Sequence, residues 1–265
     1  MQRRILFVLL LSFNTILFLK AQNDSTKVSV KLIQPNYLQQ GDSIAIVAPA
    51  GILKNKKEAI KKAKELAEGW GLKVLIGKNV FNQNNHFAGT DKERAEDFQK
   101  ALDNPNIKAI WCARGGYGSV RIIDLLDFSK FKENPKWIIG YSDITAFHNH
   151  LNTFGVESIH GLMGTSLDFD EEESKQSKET LRKVLFGKKL SYEIESSEHN
   201  RKGNVSGELI GGNLSIMVSM LGSKSQLDTD GKILFIEEIG EYKYTIDRML
   251  QSLKRAGYFN NIQGL

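Results

Sequence analysis

Ser142 is the residue of this chain whose setting best suits nucleophilic chemistry. It lies in Lys136-Trp-Ile-Ile-Gly-Tyr-Ser-Asp-Ile-Thr-Ala-Phe-His148. There Trp137–Ile139 is an apolar run too short for a helix and suited to a buried strand. Gly140 and Tyr141 follow, and Ser142-Asp-Ile-Thr145 can open a helix. A serine on a strand-to-helix turn resembles a nucleophile elbow, with its hydroxyl lifted clear of the backbone. The first helical N–H groups would then face any negative charge that develops beside it. The match to G-x-S-x-G is partial, because position 144 is Ile. An ordinary N-cap is the other reading of Ser142, and this stretch alone leaves both open.

Two further segments carry chemistry-bearing residues. Arg114-Gly-Gly-Tyr-Gly-Ser119 follows a strand, and its glycines let backbone N–H groups approach a ligand closely. It lacks the ending of a P-loop and the spacing of a dinucleotide fingerprint. An oxyanion-hole donor and a plain strand-to-helix turn are its remaining readings. Glu237 and Glu238 end an apolar strand, where alternation sends them to opposite faces. One can point into a site, orienting a histidine as a triad acid does, while the other caps or meets solvent.

The histidines are His86, His148, His150, His160 and His199. His148 and His150 sit two apart on a predicted helix and point to nearly opposite sides, a poor metal pair. With no H-E-x-x-H or Cys-rich pattern, no metal or cofactor is expected. His160 either lines the cleft or is a satisfied core histidine, and none of the five is an evident base for Ser142. Cys112, the only cysteine, lies inside an apolar strand candidate and reads as a buried, inert thiol.

The elements that must position these residues alternate between strand and helix. Predicted strands are 43–50, 72–76, 108–113 and 136–141. Predicted helices run over 56–70, from the Thr90–Glu93 capping box to about 102, over 120–127, and onward from Ser142. This is an α/β pattern with a mainly parallel sheet flanked by helices. Ligands of such sheets bind beyond the carboxyl ends of the strands, where the 114–118 loop and Ser142 both fall. The reading by domain is a nucleophile domain over 22–168, a connection over 169–204 with one helix near 174–186, and a smaller α/β domain over 205–265.

Composition is that of a globular chain, 41% hydrophobic and 25% charged over 265 residues. The first 21 residues read as a secretory signal peptide: Met1-Gln-Arg-Arg, an apolar stretch over 5–19, then Ala21 before a polar segment. An uncleaved anchor is the alternative, since Leu19 is not ideal three residues before the cut. The expected location is therefore outside the cytoplasm, periplasmic or secreted. Setting aside Arg3, Arg4 and Lys20 leaves 33 basic against 31 acidic residues. That balance does not suggest nucleic-acid binding.

Together these segments resemble the LD-carboxypeptidase family of serine peptidases, which includes the microcin-immunity peptidases. The resemblance rests on Ile44-Ala-Ile-Val-Ala-Pro-Ala50, Ala113-Arg-Gly-Gly-Tyr-Gly118, Ile139-Gly-Tyr-Ser-Asp-Ile-Thr145 and Ile159-His-Gly161. Gly207-Glu-Leu-Ile-Gly-Gly-Asn-Leu214, Ile233-Leu-Phe-Ile-Glu-Glu-Ile-Gly-Glu241 and Ile246-Asp-Arg-Met-Leu250 complete it. It implies Ser142 as nucleophile and Glu237 as acid of a Ser-His-Glu triad, without a cofactor. It also implies an oxyanion hole from the N–H groups of Asp143 and of Gly115 or Gly116. The implied substrate is a murein tetrapeptide or related L,D-peptide that loses its terminal D-alanine, and family members often pair as dimers. Arg114 is a candidate for the substrate carboxylate. The family's histidine lies beyond the glutamate strand, and this chain stops at Leu265 as Asn261–Leu265 begins a further strand. A truncated copy is the expectation from this, and an inactive muropeptide-binding relative the alternative. A nucleotide- or sugar-phosphate-binding role for the 114–119 loop fits poorly with an export signal.

Overall fold

The computed structural model describes residues 32–168 and 171–265, with side chains left out over 168–173. The signal-peptide segment 1–21 lies outside the described residues, as do the side chains of the acidic run 170–173. Residues 31–265 form one compact unit. In chain order its elements are β1 (Ser43–Val47), α1 (Lys57–Gly69), β2 (Lys73–Ile76), α2 (Asp91–Asp103) and β3 (Ile107–Cys112). Next come α3 (Ser119–Ile122), α4 (Ser129–Glu133), β4 (Trp137–Gly140), α5 (Thr145–Asn152), β5 (Ile159–His160) and α6 (Glu171–Leu185). Then follow β6 (Leu209–Asn213), α7 (Leu214–Ser219), β7 (Ile233–Glu237) and α8 (Lys243–Arg255).

The first five strands form one parallel sheet in the order β2-β1-β3-β4-β5. Its inner strands are buried on both faces, and their side chains divide with period two. Ala45, Val47, Ile110, Cys112 and Ile138 pack with α2 and α5, where Phe98 stacks on Phe147 at 4.3 Å. Ile44, Ile46, Ala109, Trp111 and Ile139 pack on α1, where Trp70 stacks on Trp111 at 6.3 Å. Helix α6 adds Leu181 and Leu185 to that second layer, so it is a packing element of the sheet. β5 is shorter than the strand-like sequence 156–159 suggests, with Val156 making only an isolated bridge to Ile33.

Helix α2 begins as its sequence predicts. Thr90 and Glu93 form a reciprocal capping box, which holds the Glu93 carboxyl below its usual pKa. Its other end is closed from a distance. The buried Lys136 ammonium donates to the carbonyls of Ala101, Leu102 and Asn104 at 3.0, 2.8 and 2.7 Å. A cation suits the negative end of a helix, and three acceptors match its three donors. Burial lowers the Lys136 pKa to about 8.

The remaining two strands, β6 and β7, pair in parallel and carry a separate core of Ile210, Leu214, Met217, Leu234, Met249 and Leu253. Residues 261–264 run along the other edge of β7, with Leu234 N–H donating to Gly264 O at 2.9 Å. The predicted final strand is seen only as this edge contact, with an isolated bridge at Gly264. His148, on α5, ties that helix to the main sheet. Its Nε2 lies 2.8 Å from the Gly140 carbonyl and its Nδ1 2.8 Å from Ser158 Oγ. A carbonyl can only accept, so Nε2 carries the proton and Nδ1 accepts from the hydroxyl. Burial lowers the His148 pKa to about 4.

Two predictions follow from these buried groups. Lys136→Met leaves three helix-end carbonyls without a donor, and urea unfolding at pH 7 should show a loss of about 2–4 kcal/mol. For His148, the folded pKa lies below the unfolded one, so the stability it confers is complete above about pH 6.5. That stability declines as pH falls toward 4, by up to about 3 kcal/mol. Comparing urea midpoints at pH 7 and 4.5 should give a smaller drop in His148→Gln than in the parent, and an equal drop would refute the assignment.

Candidate active site

Strand β4 ends at Gly140, Tyr141 continues extended, and Ser142 turns the chain with φ of +59°. A left-handed conformation costs a non-glycine residue about 1–2 kcal/mol, and such strain gathers at functional turns. A short 3-10 turn over Ser142–Ile144 leads into α5. Ser142 is not an N-cap: that position of the turn is Tyr141, and no side-chain cap is made there. The missing glycine of G-x-S-x-G is explained by packing. A methyl group built on Gly140 would stand 2.7 Å from Ile144 Cγ1, so the small residue this tight turn needs is at 140.

The 114–118 loop closes against that turn. A methyl group built on Gly115 would lie 3.3 Å from Ser142 Cβ and 3.4 Å from Asp143 N. Gly51 N–H donates to Gly115 O at 3.0 Å, which fixes the loop from its other side. Gly116 has φ of +98°, a conformation open to glycine. Ser142, Asp143 and Gly115 are therefore brought together, with Gly116 next in line. Arg114 is half-buried and donates from Nη1 to the Ile52 carbonyl, so part of its guanidinium is already engaged. Cys112 is fully buried, and burial pushes its thiol pKa up, as suits an inert residue.

The second sheet docks on the same helix start. A methyl group on Gly212 would stand 2.5 Å from Thr145 Oγ1, and that hydroxyl accepts the Asn213 N–H at 2.9 Å. Asn213 caps α7 and lies in register with Glu237. The two glutamates then part. Glu238 accepts from Ser215 N–H at 3.0 Å, Ile239 N–H at 2.9 Å and Asn213 Nδ2 at 3.3 Å. Glu237 has a buried Oε1 with no hydrogen-bond partner among the described residues. Burial, with the negative charge of Glu238 beside it, raises the Glu237 pKa despite the nearby Asn213 amide.

The histidines separate as well. His148 is committed to Gly140 and Ser158, and His150 to Ser225 Oγ at 2.7 Å. His86 lies tilted against Phe87 and stacks on Tyr117, and His199 is exposed beside Glu198. His160 stands in register with Gly140 and edge-on to Phe235 at 5.2 Å. It keeps more than a third of its surface open, although the atoms crowding its ring lower its pKa. Among the described residues, none of the five bonds to Ser142, no cluster could hold a metal, and no helix is long and apolar enough to cross a membrane. Sequence reasoning missed the Asp143 carboxylate, fully buried and accepting Ser119 N–H at 2.8 Å, and the buried Arg94 beside the loop. The only signal for either was a charged residue at an otherwise inward-facing position.

Comparisons with known proteins give the family. The LD-carboxypeptidase N-terminal domain matches residues 44–161 and the LD-carboxypeptidase C-terminal domain matches 206–265. A Bacillus subtilis (strain 168) protein named "Probable murein peptide carboxypeptidase" is 38% identical over 237 residues, spanning 88% of this chain and 73% of that protein. The crystal structure of muramoyltetrapeptide carboxypeptidase from Oxalobacter formigenes superposes with a TM-score of 0.70 at 29% identity, over 83% of this chain and 74% of that one. MccF in complex with glutamyl sulfamoyl guanosine gives 0.75 at 25% identity, over 87% and 78%. With a strained serine at the strand-helix turn, a glycine loop against it and both domain matches in order, the chain belongs to the LD-carboxypeptidase family.

Proposed function

We propose that this chain is a serine carboxypeptidase that removes the terminal D-alanine of murein tetrapeptides by hydrolysing its L,D-amide. The observation that carries this reading is Ser142, held at positive φ with the Gly115 backbone packed against it. The names of the Bacillus and Oxalobacter relatives supply the substrate class. Ser142 Oγ attacks the amide carbonyl, and the N–H groups of Asp143 and of Gly115 or Gly116 take up the negative charge. The C–N bond breaks, D-alanine leaves with a proton on its nitrogen, and water then hydrolyses the acyl-serine. Arg114 retains donors beyond the one bound to Ile52 and suits the substrate carboxylate. Glu237 is the triad acid, its bare Oε1 suited to accept an imidazole N–H. The bare oxygen also favours a second reading, a muropeptide-binding relative without turnover.

D-alanine release from purified murein tetrapeptide tests both. Ser142→Ala should lower release by about a thousandfold or more, and Glu237→Gln by about a hundredfold or more. Undiminished cleavage by Ser142→Ala would remove Ser142 from the reaction. Calorimetric affinity for the tetrapeptide with no D-alanine released by the parent chain would favour the binding reading instead. We also propose export through residues 1–21. N-terminal sequencing of the mature protein should then begin at about residue 22, and an intact Met1 would refute cleavage.

A further inference from the structure

Two buried charged side chains to which the proposed reaction gives no part meet on a single peptide group. Arg94 is 1% exposed and Asp143 is fully buried. Arg94 Nη1 donates to Gly118 O at 2.9 Å, and Ser119 N–H donates to Asp143 Oδ2 at 2.8 Å. That carbonyl and that N–H are the two ends of the peptide joining Gly118 to Ser119. The guanidinium is itself seated, donating also to the Pro49 carbonyl and to the Asp91 carboxylate. Asp91 is braced in turn by Arg121 at 2.6 Å. Gly118 is required there: its φ is +144°, and a methyl group on it would stand 2.8 Å from Arg94 Nη1 and 3.1 Å from Ala50 Cα.

We propose that Arg94 and Asp143 are positioning residues that clamp the Gly118–Ser119 peptide, and so hold the Gly115 and Gly116 N–H groups at a fixed distance from the Asp143 N–H. This rests on the proposed role of Ser142. The loop is short and held at three points. Ala113 N–H donates to Val47 O at 2.7 Å, Gly51 N–H holds Gly115 O, and the clamp closes the far end. Asp143 belongs to both halves of the arrangement, because its backbone sits beside Ser142 while its carboxylate grips the opposite loop. Donors to an oxyanion act over a few tenths of an ångström, and a misplacement of about 1 Å costs about a hundredfold in rate. Among the described residues Asp143 Oδ1 and Arg94 Nε have no hydrogen-bond partner, so the two side chains are linked by hydrogen bonds only through this peptide, while their opposite charges also attract each other.

Amide NMR of the folded chain tests this without any substrate. In Asp143→Ala the Ser119 amide should lose its downfield shift and exchange at least tenfold faster, and the Gly115 and Gly116 amides should move with it. Asp143→Asn, whose amide oxygen can accept the same N–H, should return all three toward their parent positions. Glycine amides that stay in place when Ser119 moves would overturn the proposal, as would an Asp143→Asn variant as disturbed as Asp143→Ala. Should Asp143→Ala fail to fold, Arg94→Lys releases the same peptide from its carbonyl side and is read in the same way. On murein tetrapeptide, Asp143→Ala should lose about a hundredfold in kcat with KM within threefold. A loss carried mainly by KM would count against positioning. A parent chain that releases no D-alanine would remove the substrate reading alone, since the amide shifts still decide the clamp.

Discussion

The site depends on how closely two backbone turns approach each other at the carboxyl edge of the main sheet. One follows β3 and the other follows β4, and they meet where Gly115 faces Ser142 and Asp143 N. A side chain at 115 would separate them, so the loop is glycine there by exclusion of volume. The same constraint recurs around the contact, at Gly140 above Ile144 and at Gly51 beside Gly115. Parallel pairing of β3 with β4 puts both turns on one edge, and the core layers on either face keep that edge from shifting. The left-handed Ser142 is tolerable because the residues after it are buried: Asp143, Ile144, Thr145, Ala146 and Phe147 all face into protein.

Thr145 carries this rigidity to the second sheet. Its hydroxyl accepts the Asn213 N–H, and Gly212 lies against it, so β6 is seated on the first turn of the helix that follows Ser142. Asn213 in turn sets the register of β7, where Glu237 and Glu238 take opposite fates. Glu238 accepts from the Ser215 N–H at the start of α7, a favourable place for a carboxylate, and from the Ile239 N–H and the Asn213 amide. Glu237 has a raised pKa because burial is incompletely answered by hydrogen bonds. A half-satisfied buried carboxylate weakens the fold, which marks it as a group retained for something other than stability.

Much of the fold was legible because it rests on local pattern. The apolar runs at 43–50 and 108–113 read as buried strands and are seen as β1 and β3, and the Thr90–Glu93 capping box appears where the sequence set it. The alternation of strand and helix sufficed for a parallel sheet, and with it the edge at which Ser142 and the glycine loop would meet. What was not legible depends on residues far apart in sequence. That Ser142 is not the N-cap follows from its left-handed turn and from the packing of Gly140 on Ile144, which the local pattern did not carry. The 169–204 segment looked like a connection because its helix is polar over most of its surface, yet two leucines suffice to seat it on the sheet. Lys136 reads in the sequence only as the first residue of the 136–141 strand, and its three carbonyl partners at the end of α2 lie more than thirty residues earlier.

Arg94 and Asp143 show why such long-range polar contacts persist. Burying a charge is costly, and apolar replacements of similar shape often match or exceed the stability of a buried ionic arrangement. Arg94 has its direct ion pair with Asp91, not with Asp143. Arg94 and Asp143 each hold one end of the same peptide, an arrangement that fixes the orientation of that plane as well as its place. Apolar packing is non-directional and could not set a peptide's rotation to the same tolerance. The two buried charges therefore make sense as parts chosen for geometry, in the one loop whose backbone must stand at a defined distance from Ser142.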